Sequence, residues 1–385
     1  MIANRLINAN RKNKKNPKEK MRNRLTFILL IFLSLFSCQT KKGDYVCTPC
    51  DLKCDDLTFS EAGICPHCKM ALVKKSELNK EKELILNQIE IKEGSGIFLV
   101  EGGIGNEDKR IKVFYHKPKN FSPTSGILIV VPGAGRNGDS YRDAWIDESE
   151  AYNLLILSPM YPESTYGFED YHLGGLITDT NFKNSVEYIE NTNIATLDET
   201  KFDFNINSNS NEWIFNDFDR IFDLTIEALN SKQTSYDMFG HSAGGHILHR
   251  LALFQKKSKA ARILASNPSF YTLPDFEVPF PFGCKNAPIT QEALKYAFEK
   301  ELVVFLGEMD NENETGGTFL RSTTADKQGL HRFERGKFFY SESKTIAEAL
   351  KLEFHWDLVI VQNVGHNHQR MGAAAANYLY GEREK

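Results

Sequence analysis

The sequence has only a small excess of negative over positive charge. Its 385 residues include 47 Lys and Arg against 51 Asp and Glu, which gives a formal net charge of only -4. Nucleic-acid binding requires a concentrated basic face, whereas the basic residues that cluster here lie at the N-terminus, from Arg5 to Arg24. We therefore expect no nucleic-acid partner.

Long hydrophobic runs and internal repeats are also missing. The apolar run from Leu25 to Phe36 has twelve residues, and a helix needs about 20 to span a bilayer. The hydrophobic fraction of 41% nevertheless predicts an ordinary globular core for most of the chain.

The N-terminus has the pattern of an export signal, because a basic segment precedes this short apolar run. The run ends at Leu35-Phe36-Ser37-Cys38, which resembles the lipobox of bacterial lipoproteins. The resemblance implies a signal segment over residues 1–38, a diacylglycerol on Cys38, and a lipid-anchored protein in the bacterial cell envelope, facing the periplasm or the surface. A plain signal peptide or an uncleaved anchor is the alternative.

Five of the seven cysteines fall between Cys47 and Cys68. Cys47 pairs with Cys50, and Cys65 with Cys68, in two C-x-x-C knuckles that fourteen residues separate. This spacing suits a tetrahedral metal site, and Cys54 is left over. Disulfides are the alternative because the export route is oxidising, although five cysteines cannot all pair within one chain.

The same segment resembles the heavy-metal-binding domain of bacterial metal-efflux and secreted proteins. The run from Gly63 to Leu72 carries most of the match, while Thr48-Pro49-Cys50 replaces the usual Pro-Met-His. The resemblance implies one bound ion: zinc fits four cysteines, and Cu(I) would favour thiolates with Met70. We place this module at residues 45–75 and a charged linker at residues 76–88.

Residues 89–385 alternate strand-like and helix-like segments, which indicates an α/β sheet. Several strand-like segments are continuous apolar runs, as expected for strands buried on both faces. The segment from Glu163 to Asn211 is long, rich in asparagine and poor in periodicity, and we interpret it as a lid or loop excursion. Strands are predicted at Arg110–Tyr115, Gly126–Val131, Leu154–Leu157, Tyr236–Phe239, Ile263–Ala265, Leu302–Leu306 and Leu358–Val361.

The strongest catalytic signal is Gly240-His241-Ser242-Ala243-Gly244. It fits the G-x-S-x-G nucleophile elbow, in which a serine sits on a strained turn between a strand and a helix. The context agrees, since an apolar strand precedes the pattern and Ile247–Phe254 can form the helix that follows. We predict that Ser242 is a nucleophile.

In proteins with this nucleophile elbow, the acid and then the histidine follow the nucleophile along the chain. His366 follows the last predicted strand and is our candidate base, with His368 as the alternative. Asp310 follows the strand before it and is our candidate acid, which would accept the second N–H of the histidine. Glu308 and Glu312 lie near enough to compete.

Two backbone N–H groups are needed for an oxyanion hole. We expect one from Ala243, directly after the nucleophile, and one from Ala134, within the turn Pro132-Gly133-Ala134-Gly135. The proline stands where histidine is common, which leaves the backbone amides in place. A simple tight turn is the alternative.

Together these segments resemble the α/β-hydrolase superfamily, and Gly133-to-Asn137 with Tyr141 is similar to its polyhydroxybutyrate depolymerase and feruloyl esterase branch. The resemblance implies a mostly parallel sheet flanked by helices, hydrolysis of a small or polymeric ester through an acyl-enzyme, and no cofactor for catalysis. Aromatic residues at Tyr161–Tyr171 and Phe270–Phe282 are expected to wall an acyl pocket.

Two interpretations remain open. The first is a lipid-anchored serine hydrolase, with a carboxylic ester as the preferred substrate and peptidase or amidase action as a variant. The second is a metal-binding or metal-sensing lipoprotein whose hydrolase domain is a scaffold without activity. Retention of Ser242, Asp310 and His366 together favours the enzyme.

Overall fold

An eight-stranded sheet forms the centre of the molecule. The computed structural model describes residues 43–47, 57–66, 71–75 and 86–381. The strands of this sheet are β4 (Gly94–Glu101), β5 (Arg110–Lys117), β6 (Ile127–Val131), β7 (Leu155–Met160), β12 (Tyr236–His241), β13 (Ala260–Ser266), β14 (Glu301–Gly307) and β16 (Asp357–Val361). They lie in the order β4-β5-β7-β6-β12-β13-β14-β16, and β5 alone runs opposite to the other seven.

Helices cover both faces of this sheet. All five residues of β6 are buried, and successive side chains enter opposite cores: Ile129 packs with one cluster and Val130 with the other. This two-sided burial is what makes the central strands continuous apolar runs. The helices are α1 (Gly138–Asp143), α2 (Ile146–Tyr152), α3 (Phe168–Tyr171), α4 (Phe182–Ser185), α5 (Phe215–Leu229), α6 (Ala243–Phe254), α7 (Leu294–Phe298), α8 (Arg332–Leu350) and α9 (His368–Tyr380).

The excursion between β7 and α5 carries short elements of its own. The strands β8 (Ile177–Thr178) and β11 (Asn205–Ile206) pair with each other, and β9 (Val186–Tyr188) pairs with β10 (Ile194–Leu197). The segment from β9 to β10 is docked onto a distant part of the chain, because β10 also pairs in parallel with β15 (Phe319–Arg321). We call residues 162–211 the lid.

A separate small sheet lies near the N-terminus and consists of β1 (Tyr45–Cys47), β2 (Thr58–Phe59) and β3 (Leu72–Lys74). Its strand order is β2-β1-β3. Cys47 and Cys65 are both buried and pack together with Phe59 and Leu72. The other predicted ligands, Cys50 and Cys68, lie outside the described residues, as do Cys54 and the predicted lipidation site Cys38.

The predicted fold class is confirmed: a mostly parallel sheet lies between layers of helices. All seven predicted strands are present, and the strand Gly94–Glu101 and the short strands of the lid were missed. Among the described residues, no helix is long and apolar enough to cross a membrane. Across the same part of the chain, no group of three or more His, Cys, Asp or Glu side chains is arranged to hold a metal ion.

Candidate active site

Ser242 sits on the sharp turn between β12 and α6. Its backbone has φ 59° and ψ -116°, a conformation that costs a non-glycine residue energy and is found where the surrounding structure enforces it. Its N–H donates to the Ser266 carbonyl at 2.8 Å. A methyl group on Gly244 would lie 2.1 Å from the carbonyl oxygen of Val131, so only glycine lets α6 start this close to β6.

His366 and Asp310 meet at the carboxyl ends of the neighbouring strands. His366 Nδ1 lies 2.7 Å from Asp310 Oδ2, and the side chains are 5% and 1% exposed. Ser242 and His366 line the same cavity. Burial and the positive charge of Arg332 lower the pKa of His366, against the hydrogen bond and charge of Asp310, which raise it. The ring is therefore held as the free base, the form that can accept a proton.

The competing candidates have other partners. His368 stacks on Tyr141 with ring centroids 4.3 Å apart, and burial lowers its pKa to about 4. Glu308 accepts the Asn363 N–H at 3.0 Å. Glu312 has an exposed side chain 3.7 Å from His331. Of the predicted acids, Asp310 alone has a hydrogen bond to His366 among the described residues.

The Asp310 carboxylate has two further donors that the sequence analysis missed. Asn267 Nδ2 lies 2.5 Å from Oδ2, and Arg332 Nη1 lies 3.0 Å from Oδ1. Burial alone would raise the pKa of Asp310, but the hydrogen bond and charge of His366, followed by the charge of Arg332, lower it. Another acid, Glu314, accepts the His366 backbone N–H at 2.6 Å.

The predicted oxyanion turn lies beside the nucleophile. A methyl group built on Gly133 would lie 3.4 Å from Ser242 Cβ, and Ala134 and Ala243 both line the cavity. Tyr171 fixes the turn from the lid side, since its hydroxyl donates to the Pro132 carbonyl at 2.7 Å. The turn and the first residue of α6 therefore border the same cavity as the serine.

The cavity has a volume of about 1060 Å³ and is walled by the oxyanion turn, the lid and the loop before β15. The aromatic prediction holds in part. Phe168 and Phe270 line the cavity, but Tyr161 and Tyr171 are fully buried in the core and do not. The rings of those two tyrosines contact each other in a tilted arrangement, with centroids 5.7 Å apart.

Comparisons with known proteins agree with this geometry. No protein-family model and no curated protein sequence matches the chain. Among solved structures, poly(aspartic acid) hydrolase-1 from Sphingomonas sp. KT-1 is 31% identical, with a TM-score of 0.64, over 76% of this chain and 100% of that one. A poly(3-hydroxybutyrate) depolymerase from Bordetella parapertussis is 24% identical, with a TM-score of 0.63, over 76% of this chain and 91% of that one.

The sheet topology and the strained serine at the strand–helix turn define an α/β hydrolase. The identity to the Sphingomonas enzyme over its whole length carries the assignment to the level of a family. The chain belongs to the α/β-hydrolase superfamily, in the family of that enzyme, and it is a serine hydrolase.

The loop before β15 generates a prediction at Gly317. This glycine has φ +60°, and a methyl group on it would lie 2.6 Å from His366 Nε2. Gly317→Ala should therefore displace the imidazole and lower kcat at least about tenfold, because a small misplacement of a reacting group is costly. The strained backbone should add a stability loss of about 1–2 kcal/mol.

Gly94→Ala is the matched control, since Gly94 also has a positive φ, +81°, but has open space around its missing side chain. It should show the same order of Tm loss with unchanged kcat. Equal activity losses in the two variants would mean that the Gly317 contact with His366 has no catalytic consequence.

Proposed function

We propose that this protein is a carboxylic ester hydrolase that acts through an acyl-enzyme, with Ser242 as nucleophile, His366 as base and Asp310 as the acid that orients it. The observation that carries the proposal is the 2.7 Å contact between His366 and Asp310 beside the strained Ser242. His366 takes the serine proton during attack and returns it to the leaving alcohol. Water then attacks the acyl-enzyme with the same base.

The backbone N–H groups of Ala134 and Ala243 stabilise the oxyanion of both tetrahedral intermediates. Such donors act where charge develops and are held in advance by the fold. Here the first residue of α6 and the turn held by Tyr171 supply them. This chemistry needs no cofactor.

We expect Ser242→Ala to lower kcat by at least about 10³ without a change in Tm, as removal of a triad nucleophile does. A fluorophosphonate probe should label the wild-type protein and leave the variant unlabelled. Ser341→Ala, an exposed serine on α8, is the control and should be labelled like the wild type. Labelling that persists in Ser242→Ala would remove the nucleophile assignment. An unlabelled wild type would favour the alternative of a metal-binding lipoprotein with an inactive scaffold.

The cavity favours uncharged substrates. Its wall holds three cationic residues, Lys109, Arg136 and Lys183, and three carboxylates, Glu163, Glu169 and Asp170. Two of the cations are engaged. Lys109 pairs with Asp170 at 3.1 Å, and the buried Arg136 donates to the carbonyls of Tyr161 and Tyr166.

The histidines of the wall add no positive charge. Burial is the main cause that lowers the pKa of all five, so they are neutral at pH 7; they are His172, His241, His246, His366 and His368. Once Lys109 and Asp170 are paired, Arg136 and Lys183 balance Glu163 and Glu169 in number, so the wall has no net positive charge. A carboxylate on the substrate would lose hydration in this cavity without an excess of cations to compensate, a cost that an uncharged ester does not meet.

We predict that kcat/KM for an uncharged ester exceeds that for the same ester with an added carboxylate by at least about tenfold. Glu163→Gln combined with Glu169→Gln should narrow the difference, while Glu227→Gln, an exposed carboxylate on α5, should not. The poly(aspartic acid) hydrolase relative makes an amide polymer rich in carboxylates the specific competitor. Hydrolysis of poly(aspartic acid) at a rate equal to that of neutral esters would establish that second function instead.

For the N-terminal part we propose a lipid anchor on Cys38 and a module at residues 45–75 that binds one soft metal ion. The paired C-x-x-C knuckles support the metal proposal, and so does the burial of Cys47 and Cys65 in one small cluster. The module, the linker at 76–88 and the hydrolase domain would be independent units in the cell envelope. Mass spectrometry of the mature protein tests the anchor: an N-terminal residue other than a diacylated Cys38 would contradict it.

A fragment that starts near Lys80 should fold and hydrolyse esters at the full rate in the presence of a chelator, because the triad requires no ion. The segment from Gln39 to Lys75 should bind one ion when reduced and lose its order on chelation, since so short a chain has little core of its own. Metal analysis of the two fragments checks both points. An ion in the hydrolase fragment, or activity lost with the cysteine segment, would place the metal in the active site.

A further inference from the structure

The structure assigns to Arg332, the first residue of α8, the role of a positioning residue that fixes the acid of the triad and extends the reaction to lower pH. This inference rests on the proposed roles of Asp310 and His366. It begins from an arrangement that the triad alone does not require: a guanidinium whose side chain is 3% exposed, paired with a carboxylate that is 1% exposed.

Arg332 fixes the orientation of the Asp310 carboxylate. Its Nη1 holds Oδ1 at 3.0 Å, so that Oδ2 is left to His366 Nδ1 at 2.7 Å and to Asn267 Nδ2 at 2.5 Å. With both oxygens engaged, the carboxylate cannot rotate without breaking a charge-assisted hydrogen bond in a buried site, where such a bond is strong. The donor on His366 is thereby held at Nδ1, and Nε2 is left as the proton acceptor.

The Arg332 guanidinium also holds the loop before β15, which lies on the other side of the His366 ring. Arg332 Nη2 donates to the carbonyls of Gly317 and Thr318 at 2.8 and 2.9 Å. Gly317 is the residue whose missing side chain leaves room for His366 Nε2. The Arg332 side chain therefore positions two groups that lie against His366. They are the Asp310 carboxylate at Nδ1 and the Gly317 backbone near Nε2.

The charge of Arg332 acts on the base as well. The groups that face His366 are Asp310 and Glu314, which raise its pKa, and Arg332, which lowers it after burial, the larger cause; the rings of His241 and His368 are neutral. On Asp310, the phenol of Tyr271 also faces the carboxylate and stays protonated. A base with a lowered pKa remains unprotonated at lower pH, so activity persists further into the acid range.

Removal of the Arg332 charge should therefore raise the pKa of His366 and shift the acidic limb of the pH–activity profile to higher pH. In Arg332→Met we expect the acidic limb of the kcat/KM profile to shift by roughly half a pH unit to one unit to higher pH. We also expect kcat at the optimum to fall about tenfold or more while KM changes little. Arg332→Lys keeps the positive charge but loses the guanidinium N–H groups that contact Asp310 and the loop at the same time. Its acidic limb should therefore stay near the wild-type pH, while its kcat falls.

Arg335→Met is the matched control. Arg335 lies one turn further along α8, its side chain is fully buried and it pairs with Asp326 instead of Asp310. This variant should have a lower Tm, because a buried arginine is lost, but its acidic limb should remain at the wild-type pH. A limb at the wild-type pH in Arg332→Met, with kcat reduced only in proportion to the folded fraction, would overturn the assignment.

Two further readouts keep the outcome decisive. If Arg332→Met does not fold, Arg332→Lys decides, because an unchanged kcat in that variant would overturn the positioning role. Fluorophosphonate labelling of the wild type separates the two proposals. Absence of labelling refutes the proposed function itself, whereas labelling together with an unshifted acidic limb and a kcat that falls only with the folded fraction in Arg332→Met refutes only the role of Arg332.

Discussion

The close approach of α6 to the end of β6 is the constraint on which the site depends. Gly244 allows the helix to begin against the Val131 carbonyl, and the Ser242 N–H is held by Ser266 on the opposite side. Ser242 lies between these two contacts, which hold its backbone at a positive φ. Because β6, β12 and the last four residues of β13 are buried, this part of the sheet is closely packed and can maintain that strain. The oxyanion turn follows β6 directly and therefore lies next to the serine.

The residues of the triad could be predicted because each has a local signal. Ser242 lies in a five-residue pattern between a strand and a helix, and Asp310 and His366 each follow an apolar strand. Arg332 and Asn267 have no such signal, because they reach Asp310 across 22 and 43 residues of sequence. Only the packing of α8 and of the segment after β13 against β14 brings them to the carboxylate.

The lid was predicted as an excursion, but its internal pairing was not. Its strands are two to four residues long, too short to show the alternation by which a strand is found in sequence. The parallel partner of β10 is β15, more than a hundred residues later, so no local pattern could predict this pairing. Likewise, the neutral histidines of the cavity wall owe their state to burial, which becomes visible only when the lid is in place.

The contacts between the lid and the segment around β15 limit which parts of the chain can be exchanged with those of a relative. Asn193 donates to the Gly317 carbonyl at 3.1 Å and accepts the Phe319 N–H at 2.7 Å, while the Glu199 carboxylate holds the N–H and hydroxyl of Thr324. Residues 193–199 therefore form a single structural unit with residues 316–324, although the nucleophile lies between them in sequence. A chimaera that exchanges the lid with a relative must import both segments together, and the two would be expected to change in concert during divergence of the family.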